Sequence, residues 1–412
     1  MMVGSVSTER TSRALEFGLY RDGDNNLDDI QAATIAQAVQ TSRHDSSIEF
    51  TVEDTTARRG FEPAHVLRTE SYTIAGGAIS KHVAVDEPHD MSARAELTKF
   101  VDRVLDDAER SNAKATWIDL VDHGGGDGGG LQSTHSAEGI MREDDIAGAI
   151  ADGVALHAKE HPEDATRKVD GVVANQCLMA TVGFSSALSH AGVEYLAASP
   201  ETMLAPGVPS GVAHDIAAHL GDPRAMAKAV VDTTMDETSD AGGSGSFGPG
   251  AAFDGIDLDP TKAADVAAAV RGLDSTLTAA ASADPSARAA IRADGKAIDG
   301  MVRFPDGSGL PWRADRPAIA LYQTFAEDAR LSAGVRAAAL HAANAIADTV
   351  LAHRESDDFA PFGDADYSNA YGPTVHFPVN RKQVDTWAPQ ISETDNAFYK
   401  SVGAADLTKV IA

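Results

Sequence analysis

The chain has 412 residues, 43% hydrophobic and 23% charged, enough for one large α/β domain with additions or two ordinary domains around a full apolar core. A formal net charge of −28 repels nucleic-acid phosphates and anionic lipid, so neither nucleic acid nor a membrane surface is an expected partner. The only cysteine, Cys177, rules out an intramolecular disulfide and gives no sign of an oxidising compartment. The first residues lack the basic start and apolar run of a signal peptide, and no stretch approaches the ~18 apolar residues of a membrane helix. The expectation is a soluble, cytoplasmic protein, or a secreted one if a leader preceded this sequence.

Residues 14–20 read as a short buried strand that runs into a dense turn, Arg21-Asp22-Gly23-Asp24-Asn25-Asn26-Leu27. A helix is predicted over 28–41, from the spacing of Ile30, Ala33, Ile35 and Val39, then a strand over 48–52 and two weaker strands within 62–85. Residues 91–110 form an amphipathic helix with Leu97, Phe100, Val101 and Leu105 on one side. The strand 115–121 ends at Asp122-His123-Gly124-Gly125-Gly126. A helix over 143–158 opens on acidic residues, which suit its N-terminal dipole. The strand 169–174 ends at Asn175-Gln176-Cys177, followed by a helix over 179–191 and a strand over 193–199. Residues 239–250 (SDAGGSGSFGPG) read as a flexible loop, 260–300 and 325–355 as Ala-rich helices, and 371–378 as a late strand. Strands alternating with helices imply a mostly parallel sheet covered on both faces, with function gathered beyond the carboxyl ends of the strands.

His123 and Cys177 both sit just past such strand ends. A lone cysteine is ordinarily a small buried hydrophobe, and a histidine after a strand is ordinarily structural. The context adds a chemical reading. A thiol at a helix start has its thiolate favoured by the dipole and free N–H groups, and a nucleophile needs a nearby base. The glycines after His123 allow close backbone approach, and the N–H groups of Gly124 and Cys177 are candidates to hold an oxyanion. The same glycine run also reads simply as a flexible loop. It lacks the GxxxxGK[ST] pattern of a phosphate loop, and no HExxH, CxxC or GxSxG motif is present. Nothing pairs His214 or His376 with a nucleophile.

These stretches together resemble the clostripain-like cysteine peptidases (peptidase family C11) of the caspase-like clan. Tyr20 to Leu27 (YRDGDNNL) is similar to the family's GDNNL segment, Asp122 to Gly126 (DHGGG) to NHGGG, and Asn175 to Val182 (NQCLMATV) to DACLMATV. Tyr195 to Gly207 (YLAASPETMLAPG) resembles YLVASEETEPG, and Tyr371 to Pro378 (YGPTVHFP) resembles GLSIYFP. The resemblance implies an α/β/α sandwich with a C-terminal helical region returning to a late strand. The expected layout is a catalytic core over 1–238, a loop over 239–250 and the C-terminal region over 251–412. It also implies a cysteine endopeptidase acting on peptide or protein substrates, with Cys177 as nucleophile, His123 as general acid/base, and the Gly124 and Cys177 amides as oxyanion donors. Asn175 and Glu201 match positions that bind substrate.

The departures from the family pattern are specific. Asn175 replaces the acid that helps hold a basic P1 side chain, Pro200 precedes Glu201, and the tryptophan that often follows PG is absent. Asp122 replaces asparagine before the histidine, where an acid either raises the His123 pKa or points into the sheet. Family members are often self-cleaved between histidine and cysteine, a segment that here contains Arg142. Some need calcium, and the turn residues Asp22, Asp24, Asn26 and Asp28 offer oxygen ligands without full EF-hand spacing, so no cofactor is expected. The alternative is a catalytically silent binding or regulatory protein on the same fold.

Overall fold

The computed structural model describes residues 12–58, 66–85, 89–136, 139–203, 207–240, 252–298, 314–355, 369–380 and 396–412. The strands are β1 (Leu15–Asp22), β2 (Ile48–Arg58), β3 (Val66–Ala75), β4 (Ala78–Val85), β5 (Ala115–Val121), β6 (Gly171–Asn175), β7 (Tyr195–Ala198), β8 (Ala252–Asp257), β9 (Asp315–Pro317), β10 (Val350–Glu355) and β11 (Thr374–His376). The helices before the C-terminal region are α1 (Asp28–Gln31), α2 (Ala33–His44), α3 (Arg94–Ser111), α4 (Glu143–Glu160), α5 (Val182–His190), α6 (Val212–Ala218) and α7 (Pro223–Asp240).

Among the described residues, nine strands make one sheet in the order β10-β8-β7-β6-β5-β1-β2-β3-β4. The central run from β7 to β2 is parallel. The outer strands β3, β4, β8 and β10 join antiparallel. After β1 the chain winds first towards β2 and later, through β5, towards β7. The winding therefore changes direction between β1 and β5, the place where open α/β sheets form a crevice.

Successive side chains on the inner strands enter opposite cores, as the two-residue strand period requires. Tyr20, Val172 and Ala198 pack with α3, α4 and α5, whereas Leu19, Val173 and Ala197 pack with α2, α6 and α7. On α3, Leu97, Phe100, Val101, Val104 and Leu105 are at most 1% exposed. Each such side chain contributes about 1.5–3 kcal/mol relative to exposure, which holds the helix against the sheet more firmly than its propensity alone. The result is the expected α/β/α sandwich.

The C-terminal region has its own core, built from α8 (Pro260–Ala283), α9 (Pro285–Ala297), α10 (Ala318–Glu327), α11 (Ala333–Ala347), α12 (Ala397–Val402) and α13 (Ala404–Ile411). Three expectations need revision here. β8 and β10 lie beyond residue 250 yet complete the main sheet, so the sheet does not end with residue 238. Ser239 and Asp240 close α7, and 241–250 lie outside the described residues. The late strand is only Thr374–His376, and it pairs with β9 in a separate two-stranded sheet. It reaches the core through the Thr374 N–H, which donates to the Ala180 carbonyl at 2.8 Å.

Candidate active site

β5 and β6 are neighbours in the sheet, with Val121 paired to Asn175, so the residues that follow them emerge side by side. His123 is two residues beyond the end of β5 and Cys177 two beyond the end of β6. The two loops touch. The Gln176 side-chain amide donates to the His123 carbonyl at 3.1 Å. A Cβ on Gly124 would stand 2.1 Å from the Cys177 carbonyl oxygen and 2.9 Å from the Gln176 Cβ, so only glycine allows this approach. Among the described residues, no acceptor is found for the backbone N–H of Gly124, while the Cys177 N–H turns towards its own Sγ.

The expected helix start directly after Cys177 is corrected by the structure. Leu178 takes a left-handed φ of 68°, uncommon for a bulky residue and costing about 1 kcal/mol or more. Its N–H donates to the Glu201 carbonyl at 2.9 Å. The helix begins only at Val182, where the Thr181 hydroxyl caps it by accepting from the Phe184 N–H at 2.8 Å. Cys177 is therefore not at a helix N-terminus, and the dipole does not lower its pKa.

The thiol is half-buried and lies against Met203, whose N–H approaches Sγ at 3.4 Å and whose carbonyl lies 3.8 Å away. Burial pushes the Cys177 pKa above its ordinary value, and the Asp122 carboxylate adds to the rise, against the pull of the Met203 and Cys177 N–H groups. Burial lowers the His123 pKa. Both shifts favour the uncharged forms, thiol and imidazole, and no hydrogen bond joins the two side chains among the described residues.

His123 is oriented by Asn26, which the sequence offered only as a turn residue with a ligand oxygen. Its Nε2 lies 2.8 Å from Asn26 Oδ1. With Nε2 donating there, Nδ1 carries the lone pair and is the basic nitrogen. Of the two alternatives for Asp122, the structure favours the buried one, with no part in raising the His123 pKa. Asp122 is 2% exposed and turns back to accept from its neighbours: the His123 N–H at 2.5 Å, the Asn25 amide at 2.6 Å and the Gln132 N–H. Its carboxylate fixes the loop rather than raising the His123 pKa.

The expected substrate residues are both inside. Asn175 is 3% exposed and clamps Val208, with Nδ2 donating to the Val208 carbonyl at 2.9 Å and Oδ1 accepting from its N–H at 2.8 Å. That amide is spent on the fold. Glu201 is also 3% exposed, and its backbone is tied to Leu178 and Ser199.

The acidic turn distributes its oxygens among protein partners. Asp22 accepts from the Asp24 N–H and from Ser133, Asp24 meets His135, Asn26 meets His123, and Asp28 meets Arg21. Burial pushes the Asp22 carboxyl up to about 6.

A buried polar knot lies behind the glycine loop. Asp127 Oδ1 accepts from the Tyr399 hydroxyl at 2.8 Å, and Asp315 Oδ1 meets His376 Nδ1 at 2.9 Å. Gly126, at φ 62°, leaves only 2.4 Å between a would-be Cβ and Asp315 Oδ2. Burial first, then the Asp315 carboxylate, hold the Asp127 carboxyl well above the ordinary range. Nearby, Glu143 accepts from the cap residue Thr181 and from the Asn396 amide at 3.1 Å. The C-terminal region therefore braces both the loop after His123 and the helix after Cys177. His214 is a surface residue whose Nδ1 lies 2.8 Å from Asp45 Oδ2.

Three solved structures share this architecture. An inactive zymogen C11 protease from Parabacteroides distasonis matches with a TM-score of 0.63 at 14% identity, over 95% of this chain and 99% of that one. A secreted C11 cysteine protease from Bacteroides thetaiotaomicron, iotapain, matches with a TM-score of 0.63 at 13% identity over the same 95% and 99%. A secreted C11 cysteine protease from Bacteroides thetaiotaomicron in complex with an irreversible peptide inhibitor gives 0.63 at 12%, again over 95% and 99%. The chain has the caspase-like fold of the C11 clostripain-like cysteine proteases. No family model and no curated protein matches the sequence. Among the described residues, no helix is long and apolar enough to cross a membrane.

Proposed function

We propose that the chain is a clostripain-like cysteine peptidase with Cys177 as nucleophile and His123 as general acid and base. The observation that carries this reading is the contact between the two strand-end loops, where Gly124 meets the Cys177 backbone and, among the described residues, the Gly124 N–H lacks an acceptor. In the reaction, the Cys177 thiol loses its proton to His123 Nδ1 and Sγ bonds to the peptide carbonyl carbon. The Gly124 and Cys177 N–H groups receive the developing oxyanion. His123 then gives its proton to the leaving amine, and the C–N bond breaks to leave a thioester. Water, deprotonated by His123, attacks that thioester, releasing the carboxylic acid and the thiol.

Asn175 is a brace in this scheme, so a basic P1 side chain has no partner at that position. Glu201 is proposed as the remaining carboxylate for a basic P1 group. The thiol's attachment to Met203 and the neutral resting pair favour a latent ground state in which substrate draws Sγ towards His123. Peptide-library cleavage tests the proposal. Turnover that disappears in Cys177→Ala and in His123→Ala is expected, whereas turnover surviving both substitutions overturns it. A folded protein that cleaves no library peptide, before or after limited proteolysis, leaves the silent binding protein as the better reading.

A further inference from the structure

A second cluster with metal-binding chemistry lies at the far end of the sandwich. α3 and α4 end where β5 and β6 begin, so their C-terminal turns are at the opposite end of the strands from His123 and Cys177. The sequence places His157 and His161 four apart at the end of α4, and Asp102, Asp106 and Glu109 at spacings of four and three on α3. Both spacings put side chains on one helix face.

Three candidate ligand atoms converge there. Asp106 Oδ1 lies 3.0 Å from His157 Nδ1 and 3.2 Å from His161 Nε2. The two imidazoles stack with centroids 4.8 Å apart and planes 17° from parallel. Donor atoms around a tetrahedral zinc ion, bound at about 2.0–2.1 Å, are themselves roughly 3.3 Å apart. The two separations from Asp106 are close to that value, and all three atoms lie within 4.8 Å of one another.

The outward nitrogen of each ring also has a carboxylate. Glu109 Oε2 meets His161 Nδ1 at 3.0 Å, and Asp164 Oδ2 meets His157 Nε2 at 3.4 Å. A carboxylate behind each histidine is the arrangement that fixes tautomer and ring orientation in metal sites. His157 is fully buried, which pre-sets one ligand, while Asp106 and His161 are partly exposed and give an ion a path in.

An independent observation points to a missing partner. Asp102, one turn before Asp106, has a buried Oδ1 with no hydrogen-bond partner among the described residues. Burial first, then the neighbouring Asp106 carboxylate, raise its pKa above the ordinary value.

We propose that Asp106, His157 and His161 form a binding site for a divalent transition-metal ion of the zinc type. Mixed imidazole and carboxylate donors suit such ions better than calcium or magnesium, which take all-oxygen sets. The ion would fasten α3 to α4, away from the peptide-cleaving pair.

Cobalt(II) titration of the full chain in a Cys177→Ala background tests this, with excess magnesium to mask ordinary surface acids. One Co²⁺ per chain should bind with visible ligand-field bands and be displaced by Zn²⁺. His161→Gln and Asp106→Asn, both at partly exposed positions, should each weaken binding at least about a hundredfold, and Glu109→Gln about ten- to a hundredfold. Circular dichroism without metal confirms that the variants fold. Absence of stoichiometric binding, or binding unchanged in His161→Gln and Asp106→Asn, overturns the site and leaves only a network of ion pairs.

Discussion

The Nε2 atom of His123 lies 2.8 Å from Oδ1 of Asn26, joining the end of β5 to the turn that follows β1 across the crevice of the sheet. The contact selects the tautomer that leaves Nδ1 basic. Removing it frees the ring to rotate and to adopt the other tautomer. Asn26→Ala should lower kcat by about tenfold, the worth of one neutral hydrogen bond, with KM little changed. Asn26→Asp should shift the acid limb of the pH–rate profile upward, because a carboxylate favours the imidazolium. An unchanged kcat and an unmoved profile would assign Asn26 to the turn alone.

Under the proposed mechanism, the pH profile of the unmodified chain follows from the two resting shifts. His123 must be unprotonated to accept the thiol proton, and burial lowers its pKa, so the acid limb should fall below the ordinary imidazole value of 6.5. The Cys177 pKa is raised, so the alkaline limb should lie above the ordinary thiol value of 9.0. Measured as kcat/KM against pH, the result should be a broad bell. A narrow profile with both limbs inside 6.5 and 9.0 contradicts the neutral resting pair.

Gly124→Ala places a methyl group where the Cys177 carbonyl already stands, 2.1 Å away. Relief requires the two loops to part, at a cost of about 1–3 kcal/mol. The proposed oxyanion donors part with them. The expected outcome is a small fall in Tm with a loss of kcat of at least about a hundredfold. Equal activity in Gly124→Ala removes the oxyanion role.

Asp127 makes the C-terminal brace sensitive to pH. Its folded pKa is well above the ordinary 3.8, so the folded chain keeps a proton that the unfolded chain releases. Stability therefore falls as pH rises from about 4 through the raised folded value, by about 1.4 kcal/mol for each pKa unit of the shift. Asp127→Asn preserves the shape of the protonated acid and can still accept from Tyr399. It should raise Tm at pH 8 and flatten its decline from pH 5 to 8. A lower Tm at pH 8, with the decline intact, would show that the carboxylate itself is needed.

The positions of His123 and Cys177 were legible because apolar runs followed by polar and glycine residues mark strand ends, and neighbouring parallel strands deliver their ends together. The helix after Cys177 begins later than expected because Leu178 breaks the backbone and Thr181 supplies the cap, a local signal present at Thr181 but outweighed by the apolar run around it. Asn26 was hidden because a GDNN turn reads equally well as turn chemistry or cation ligands. The knot of Asp127, Asp315 and His376 was not legible, since it joins residues nearly 250 positions apart and buries acids that composition assigns to the surface. β8 and β10 were missed because Ala252–Asp257 carries glycine and two aspartates, and Val350–Glu355 reads on from the Ala-rich helix before it.

The most direct measurement is the rate at which an irreversible peptidyl thiol reagent modifies the protein, read by mass spectrometry for site and stoichiometry. One modification per chain is expected, on Cys177, faster than that of an exposed model thiol and slowed at least about a hundredfold in His123→Ala. Labelling at the rate of a model thiol, indifferent to His123→Ala, would contradict the pairing of this sulfur with this imidazole.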